Sequence, residues 1–150
     1  MPHRITRAIV IAAASIPLFA GCVRHRTPAD FAGTWIGEAW CINASGDPHV
    51  EQVLLIEVAD QGHVRGSIGW RSLDGDHGHD HDGNVVLSHE EEVIGLASLR
   101  DGTIALVEIA ENGTLLGTLT PDGRLELLRT QPGEKPVVTF AILSRSAPTR

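Results

Sequence analysis

The residues best suited to chemistry lie in one short tract, residues 74–83, which holds three His and four Asp in ten positions. Imidazole nitrogens and carboxylate oxygens are ligands for Zn²⁺, Ni²⁺ or Cu²⁺. The histidines are two residues apart, so in an extended segment all three project to one side, about 7 Å between neighbours. Glycines in the tract allow it to fold and bring them together. The candidate ligands are His77, His79, His81, Asp76, Asp80 and Asp82. The alternative interpretation is a solvated loop that binds metal weakly and without purpose.

A second polar segment, residues 88–92, reads Ser-His-Glu-Glu-Glu. A carboxylate beside an imidazole can perform acid–base chemistry, but a solvated turn is the more ordinary interpretation of such a run. The sequence has no Gly-x-Ser-x-Gly, no His-Glu-x-x-His and no phosphate-binding loop motif. We therefore assign no catalytic residues and predict that the protein is not an enzyme.

The elements that must position these residues are β-strands. Runs rich in Val, Ile, Leu and Thr predict strands, and no helical period is present from residue 22 on. The predicted strands are 33–41, 50–58, 63–71, 84–98 (one bent strand or two short ones), 103–110, 114–120, 124–129 and 137–144. Asp-Gly or Asn-Gly pairs at 101–102, 112–113 and 122–123 predict type I′ hairpin turns. The pattern indicates an all-β antiparallel meander of about eight strands, either a closed barrel or a two-sheet sandwich.

The faces of the strands differ. Residues 63–71 alternate between apolar and polar, which indicates one buried face and one wet face. Residues 53–56 are apolar on both faces, so such strands must be covered twice, line a cavity or contact a partner.

The order of the strands predicts which loops meet. In a meander, the loops before the second and fourth strands lie at one end, so residues 42–49 and 72–83 should be neighbours. This places Asp47 and His49 near the histidine tract, with Cys41 beside them, and makes His49 a further candidate metal ligand.

The N-terminal segment predicts a membrane anchor. Arg4 and Arg7 precede an uncharged apolar run that is too short to span a bilayer, and Ala20 and Gly21 precede Cys22. This segment resembles the signal peptide and lipobox of bacterial lipoproteins. The resemblance implies a signal peptide over 1–21 and acyl chains on Cys22, followed by a tether over 22–30. The strand pattern then predicts one all-β domain over 31–146 and a tail over 147–150. It also implies a location in the bacterial envelope, for which Val23 favours the outer membrane, with the domain facing the periplasm. The candidate metal end would then point away from the membrane.

Cys41 is the second of the two cysteines. With Cys22 carrying lipid, it has no partner for an intramolecular disulfide. A buried small apolar residue is the ordinary interpretation, and intermolecular pairing or metal ligation are the alternatives.

The start of the first strand, Gly33-Thr34-Trp35, resembles the Gly-x-Trp opening of lipocalins and other calycins. In that family the Trp plugs the closed end of the barrel against an Arg from near the last strand. The resemblance therefore implies that Trp35 is a plug and that Arg145 packs against it.

Composition limits the function. From Cys22 on the chain has 10 Lys and Arg against 19 Asp and Glu, a net charge of −9 that argues against nucleic acid. We predict an envelope lipoprotein that binds a partner protein or a small apolar ligand. The alternative is a lipoprotein that binds Zn²⁺, Ni²⁺ or Cu²⁺ through residues 74–83.

Overall fold

Eight antiparallel strands close into a barrel in a computed structural model that describes residues 25–44, 46–75, 78–79 and 84–147. The chain begins with one helical turn, α1 (Pro28–Phe31). The strands are β1 (Gly33–Asn43), β2 (His49–Val58), β3 (His63–Ser72), β4 (Gly78–His79), β5 (Val85–Val86), β6 (Ser88–Ser98), β7 (Thr103–Glu108), β8 (Thr114–Leu119), β9 (Leu125–Gln131) and β10 (Val137–Arg145). The barrel order is β1-β10-β9-β8-β7-β6-β3-β2, and β4 pairs only with β5. The prediction of an all-β, calycin-like fold is confirmed, and of its two forms the closed barrel is the one observed.

Each predicted strand is present, with shifted ends. The segment 84–98, predicted as one bent strand or two short ones, divides into the short β5 and the long β6. The segment predicted as a tether differs, because α1 forms within it and the backbone N–H of Arg26 donates to the carbonyl of Leu99 at 2.8 Å. The chain is therefore attached to the barrel wall from Arg26 on.

The prediction of type I′ turns is wrong. That turn needs two residues with positive φ, and among the described residues only glycines have positive φ. At residues 120–124, Gly123 has φ 82°, and its N–H donates to the carbonyl of Thr120. This is the longer hairpin connection, in which a single left-handed glycine completes the turn.

The barrel has two different ends. α1 and the turns at residues 59–62, 99–102 and 120–124 lie at one, which we call the closed end. The connections from β1 to β2, from β3 to β6, from β7 to β8 and from β9 to β10 begin and end at the other, the open end. The interior at the closed end is filled by large buried apolar side chains, mainly Phe31, Trp35, Leu54, Leu106, Leu115, Leu125, Leu127 and Leu143.

Glycines at inward positions let the wall curve. A Cβ built on Gly66 would lie 1.9 Å from the carbonyl oxygen of Leu55, and one on Gly95 would lie 2.0 Å from that of Ala105. No side chain fits at such distances, so the strands coil here as a closed barrel requires.

Candidate functional site

The interior near the open end is polar. Inward positions there alternate regularly along each strand, so side chains of seven strands and one loop converge. They are Cys41, Gln52, Trp70, His89, Glu91, Glu108, Glu111, Arg129, Gln131 and Thr139. This half of the interior is therefore the part of the barrel where polar chemistry is concentrated.

Arg129, on β9, pairs with two carboxylates of the β7–β8 region. Its Nε donates to Glu108 Oε1 at 2.5 Å, and its Nη2 lies 3.5 Å from Glu111 Oε2. Nη2 also donates to Gln131 Oε1 at 2.9 Å. The side chain of Glu108 is 0% exposed and that of Arg129 is 9% exposed, so this ion pair is shielded from water.

A second group of ligand-type atoms lies beside this ion pair. His89 Nε2 is 2.8 Å from Glu91 Oε1, and one ligand atom from each of His89, Glu91 and Glu111 lies within 4.8 Å of the others. We call these three residues the His–Glu cluster. The Glu91 side chain is 4% exposed and the Glu111 side chain 9%.

Among the described residues, the charges of this region do not balance. Glu91, Glu108 and Glu111 face one guanidinium and one imidazole. Burial raises the pKa of Glu111, and the negative charges of Glu91 and Glu108 raise that pKa further, against the opposing effect of Arg129. The cluster therefore favours an added positive charge, either a proton or a cation.

A cavity of about 80 Å³ lies in the polar half of the interior. Its walls include Cys41, Asn43, Gln52, Trp70, Glu111, Arg129 and Thr139. Gln52 Oε1 is buried there and has no hydrogen-bond partner among the described residues. Pockets for drug-sized ligands are usually about 300–1,000 Å³ and mostly apolar, so this cavity suits water or an ion better than a small apolar ligand.

Cys41 lies in the wall of this cavity. Thr139 Oγ1 donates to its Sγ at 3.2 Å. Burial raises the pKa of the Cys41 thiol, and the hydrogen bond from Thr139 and the charge of Arg129 oppose that shift without reversing it. The thiol is therefore protonated at neutral pH and a poor nucleophile.

The closed end holds the pair implied by the calycin resemblance. Trp35 is buried, and its indole N–H donates to the carbonyl of Phe31 at 2.7 Å. The Arg145 guanidinium lies over the Trp35 ring at 4.8 Å from its centroid and donates to the carbonyls of Ala29 and Asp30. Arg145 thereby joins the last strand, the first strand and α1.

Most of the histidine tract lies outside the described residues. Asp76, His77, Asp80, His81 and Asp82 are not described, and of His79 only the backbone, in β4, is. Gly78 borders the cavity, and a Cβ built on it would lie 2.2 Å from Cη2 of the Trp70 ring. The described part of this connection therefore lies at the open end, against the polar half of the interior.

His49 faces outward rather than into the cavity. Its ring stacks on Trp40 with 4.2 Å between centroids, and its Nε2 lies 3.2 Å from Glu38 Oε2. Strand alternation explains this orientation, because Val50 and Gln52 take the inward positions of β2. Among the described residues, His49 is therefore not brought together with the His–Glu cluster.

The solvated turn expected at residues 88–92 is a strand. In β6, Glu90 and Glu92 face outward and are exposed, whereas His89 and Glu91 face inward. The signal in the sequence was the alternation that continues from His89 through Glu91 to the buried Val93. Glu108 and Glu111 were missed, although the hairpin of β6 and β7 pairs Glu108 with Val93 and so brings the end of β7 beside the first half of β6.

The outer surface carries a continuous row of apolar side chains. Cross-strand pairing links Leu96 to Ala105, Leu116, Leu128, Phe140 and Trp40, on six adjacent strands. A second row nearer the open end contributes Ile94, Val107, Val138 and Ile42. We call these ten residues the apolar band. Trp40 is 65% exposed and Leu116 60%.

The fold and these two surfaces define the class of protein: a closed eight-stranded antiparallel barrel with a polar open end and an apolar outer band. No protein-family model matches the chain, and a search of curated proteins likewise gives no match. Among the described residues, no helix has the length and apolar character needed to cross a bilayer.

Proposed function

We propose that the protein is a non-enzymatic, lipid-anchored binding protein of the bacterial envelope that docks a partner protein on the apolar band. The observation that carries this proposal is the band itself. Its six-strand row follows the curved barrel wall for about 24 Å at the usual strand spacing, and the second row lies beside it toward the open end. An apolar patch of this size on a monomer is often a binding site.

The composition of the band suits a protein partner. Trp40 is an exposed aromatic side chain held in place by stacking on His49, and Phe140 pairs directly with it across β1 and β10. Fixed aromatic anchors of this kind supply much of the energy of protein interfaces.

The charges beside the band favour a partner other than a second copy. On the closed-end side, Glu126 and Glu38 occupy the next outward positions, with Ile142 between them, whereas Glu51, which pairs with Glu38, is neutralised by Arg71. Two copies that meet band to band would bring acidic rims together, which costs free energy. The partner we infer has an apolar surface with a basic rim.

The tether would orient the band relative to the membrane. Arg26 lies against the closed end, where its guanidinium donates to the carbonyls of Leu119 and Thr120. Arg26 comes four positions after Cys22, so a lipid on Cys22 would hold the closed end within about 14 Å of the bilayer surface. The open end would then face away from the membrane, toward the periplasm.

Site-specific photocrosslinking in living cells tests this proposal. A photoreactive phenylalanine analogue replaces Leu128 in the centre of the band, and in a control it replaces Ser67 on the polar outer face of β3. We expect one discrete protein adduct from position 128 and none from position 67. The adduct is identified by mass spectrometry, and the purified partner is titrated with the wild-type protein and with Trp40→Ser.

The titration decides the outcome. We expect Trp40→Ser to weaken binding by at least about 30-fold, as for a hot-spot residue. Equal adducts from both positions, no adduct, an adduct with a second copy of this chain, or unchanged affinity of the variant would each overturn the proposal.

A further inference from the structure

We propose that the His–Glu cluster is a binding site for a divalent transition-metal ion, with Zn²⁺ or Mn²⁺ as the best fit. This site is built of described residues inside the barrel, none of which belongs to the histidine tract or to the apolar band. His89, Glu91 and Glu111 would be the ligands, one imidazole nitrogen and two carboxylate oxygens.

The fold prepares these ligands. His89 and Glu91 are two residues apart on β6, so strand alternation directs both side chains into the barrel. Glu111 comes from the connection between β7 and β8, and β7 is the direct neighbour of β6. Ligands from adjacent elements of a closed barrel are held with little freedom, as a specific metal site requires.

The spacing of the ligand atoms suits a metal ion. At bond lengths of about 2.0–2.2 Å, two ligands of one ion lie roughly 3–4 Å apart. The three ligand atoms here lie within 4.8 Å of one another. Changes on the order of 1 Å, within the range of side-chain torsion, would give them a common centre.

The electrostatics favour a cation. Glu91, Glu108 and Glu111 are all at least nine-tenths buried, and Arg129 is the guanidinium that faces them. Buried carboxylates are stable only when they are paired, protonated or bound to a metal. A divalent ion would balance the remaining charge even with His89 neutral.

A second, independent observation also points to a ligand. The side-chain amide oxygen of Gln52, Oε1, is buried and has no hydrogen-bond partner among the described residues. Gln52 lies in the wall of the cavity that Glu111 and Arg129 also line. A buried acceptor without a donor is costly, and a metal-bound water in this cavity would donate to it. The cavity, of about 80 Å³, has room for an ion with its waters.

The ligand set indicates the class of metal. Mg²⁺ and Ca²⁺ prefer oxygen ligands alone, whereas an imidazole with carboxylates suits Zn²⁺ or Mn²⁺. A soft ion such as Cu⁺ would require thiolate or thioether ligands. Cys41 is not one of the three ligand residues of the cluster, and its thiol accepts a hydrogen bond from Thr139.

The test is calorimetric titration of Zn²⁺ and Mn²⁺, with Ca²⁺ as comparison, into the full chain purified in detergent and stripped with a chelator. Three proteins are compared with the wild type: Glu111→Gln, the matched outward control Glu90→Gln, and a variant with His77, His79 and His81 replaced by Ala. Glu111→Gln removes a buried charge and keeps the shape of the side chain, so we expect it to fold. Thermal unfolding followed by circular dichroism checks this.

We expect one Zn²⁺ per chain bound in the barrel, at least about 100-fold weaker binding in Glu111→Gln, and no change in Glu90→Gln. Loss in both Glu111→Gln and the three-histidine variant would also support the site, with the tract contributing to the same ion. Absence of stoichiometric binding, or loss in the three-histidine variant with Glu111→Gln unaffected, would overturn it. As a second readout, Co²⁺ should give ligand-field absorption bands that His89→Gln shifts and Glu90→Gln does not.

Discussion

Replacement of Arg129 by Met should destabilise the barrel strongly. The substitution leaves Glu108, which is 0% exposed, without the guanidinium that donates to it at 2.5 Å. It also removes the donor to Gln131 and the positive charge that lies beside Glu111. Removal of one partner of a buried ion pair typically costs about 3–5 kcal/mol, because the other charge stays buried without compensation. For a domain of this size that loss corresponds to a Tm lower by about 10–20 °C.

Removal of both Arg129 and Glu108 tests whether the loss of stability comes from the unpaired charge of Glu108. The double variant Arg129→Met with Glu108→Leu replaces the pair by apolar side chains of similar volume, and it should recover most of the lost stability. A matched control is Arg71→Met, which removes an exposed ion pair with Glu51 of 2.8 Å. That change should cost less than about 1 kcal/mol.

Urea unfolding at pH 7 in the presence of EDTA, followed by circular dichroism, measures all three variants. A double variant as unstable as Arg129→Met alone would refute the reasoning, because the loss would then come from packing rather than from an orphaned charge. A cost of Arg129→Met no larger than that of Arg71→Met would refute it as well.

Three further predictions follow from other contacts. Gly95→Ala should cost at least about 2 kcal/mol in urea unfolding, because its Cβ would lie 2.0 Å from the carbonyl oxygen of Ala105. Glu111→Gln should raise the stability of the metal-free protein at pH 7. Because the pKa of Glu111 is raised in the folded state, its contribution to the free energy of unfolding is complete below the unfolded-state pKa and is lost as pH rises through the folded-state pKa. The stability gained by Glu111→Gln should therefore vanish near pH 4, where the wild-type carboxyl is also protonated. Cys41 should react with a thiol reagent far more slowly in the native protein than in urea, because burial protects it and raises its pKa.

The strands could be predicted from the sequence because their signals are local. Alternation and turn residues depend on neighbours along the chain, and they identified all eight barrel strands. The closed-end pair of Trp35 and Arg145 was predicted from the calycin resemblance of Gly33-Thr34-Trp35. The turn type at residues 120–124 could not be derived the same way. A single glycine at position 123 completes the turn there, and the Asp-Gly pair is compatible with both connections.

Most of the candidate site could not be predicted from the sequence, for a different reason. The histidine tract drew attention because its ligand-type residues are consecutive, whereas the His–Glu cluster joins two residues of β6 to one that follows β7. Charged residues such as Glu91 and Glu108 are also seldom fully buried, so a run of glutamates indicates a wet surface. Only the closed barrel shows that alternate members of residues 88–92 face the interior.

The usual distribution of polar and apolar side chains is reversed in two parts of this barrel, and each reversal lowers the stability of the fold. A barrel selected for stability alone would have apolar side chains inside and polar ones outside. Here carboxylates and an arginine occupy the interior at the open end, and aliphatic and aromatic side chains cover part of the exterior. Local departures from the rules that stabilise a fold are expected mainly at functional sites. The two departures share strands, since β6 carries Glu91 inward and Ile94 outward. Because opposite faces of a strand are independent, a metal inside and a partner outside could be selected separately on one wall.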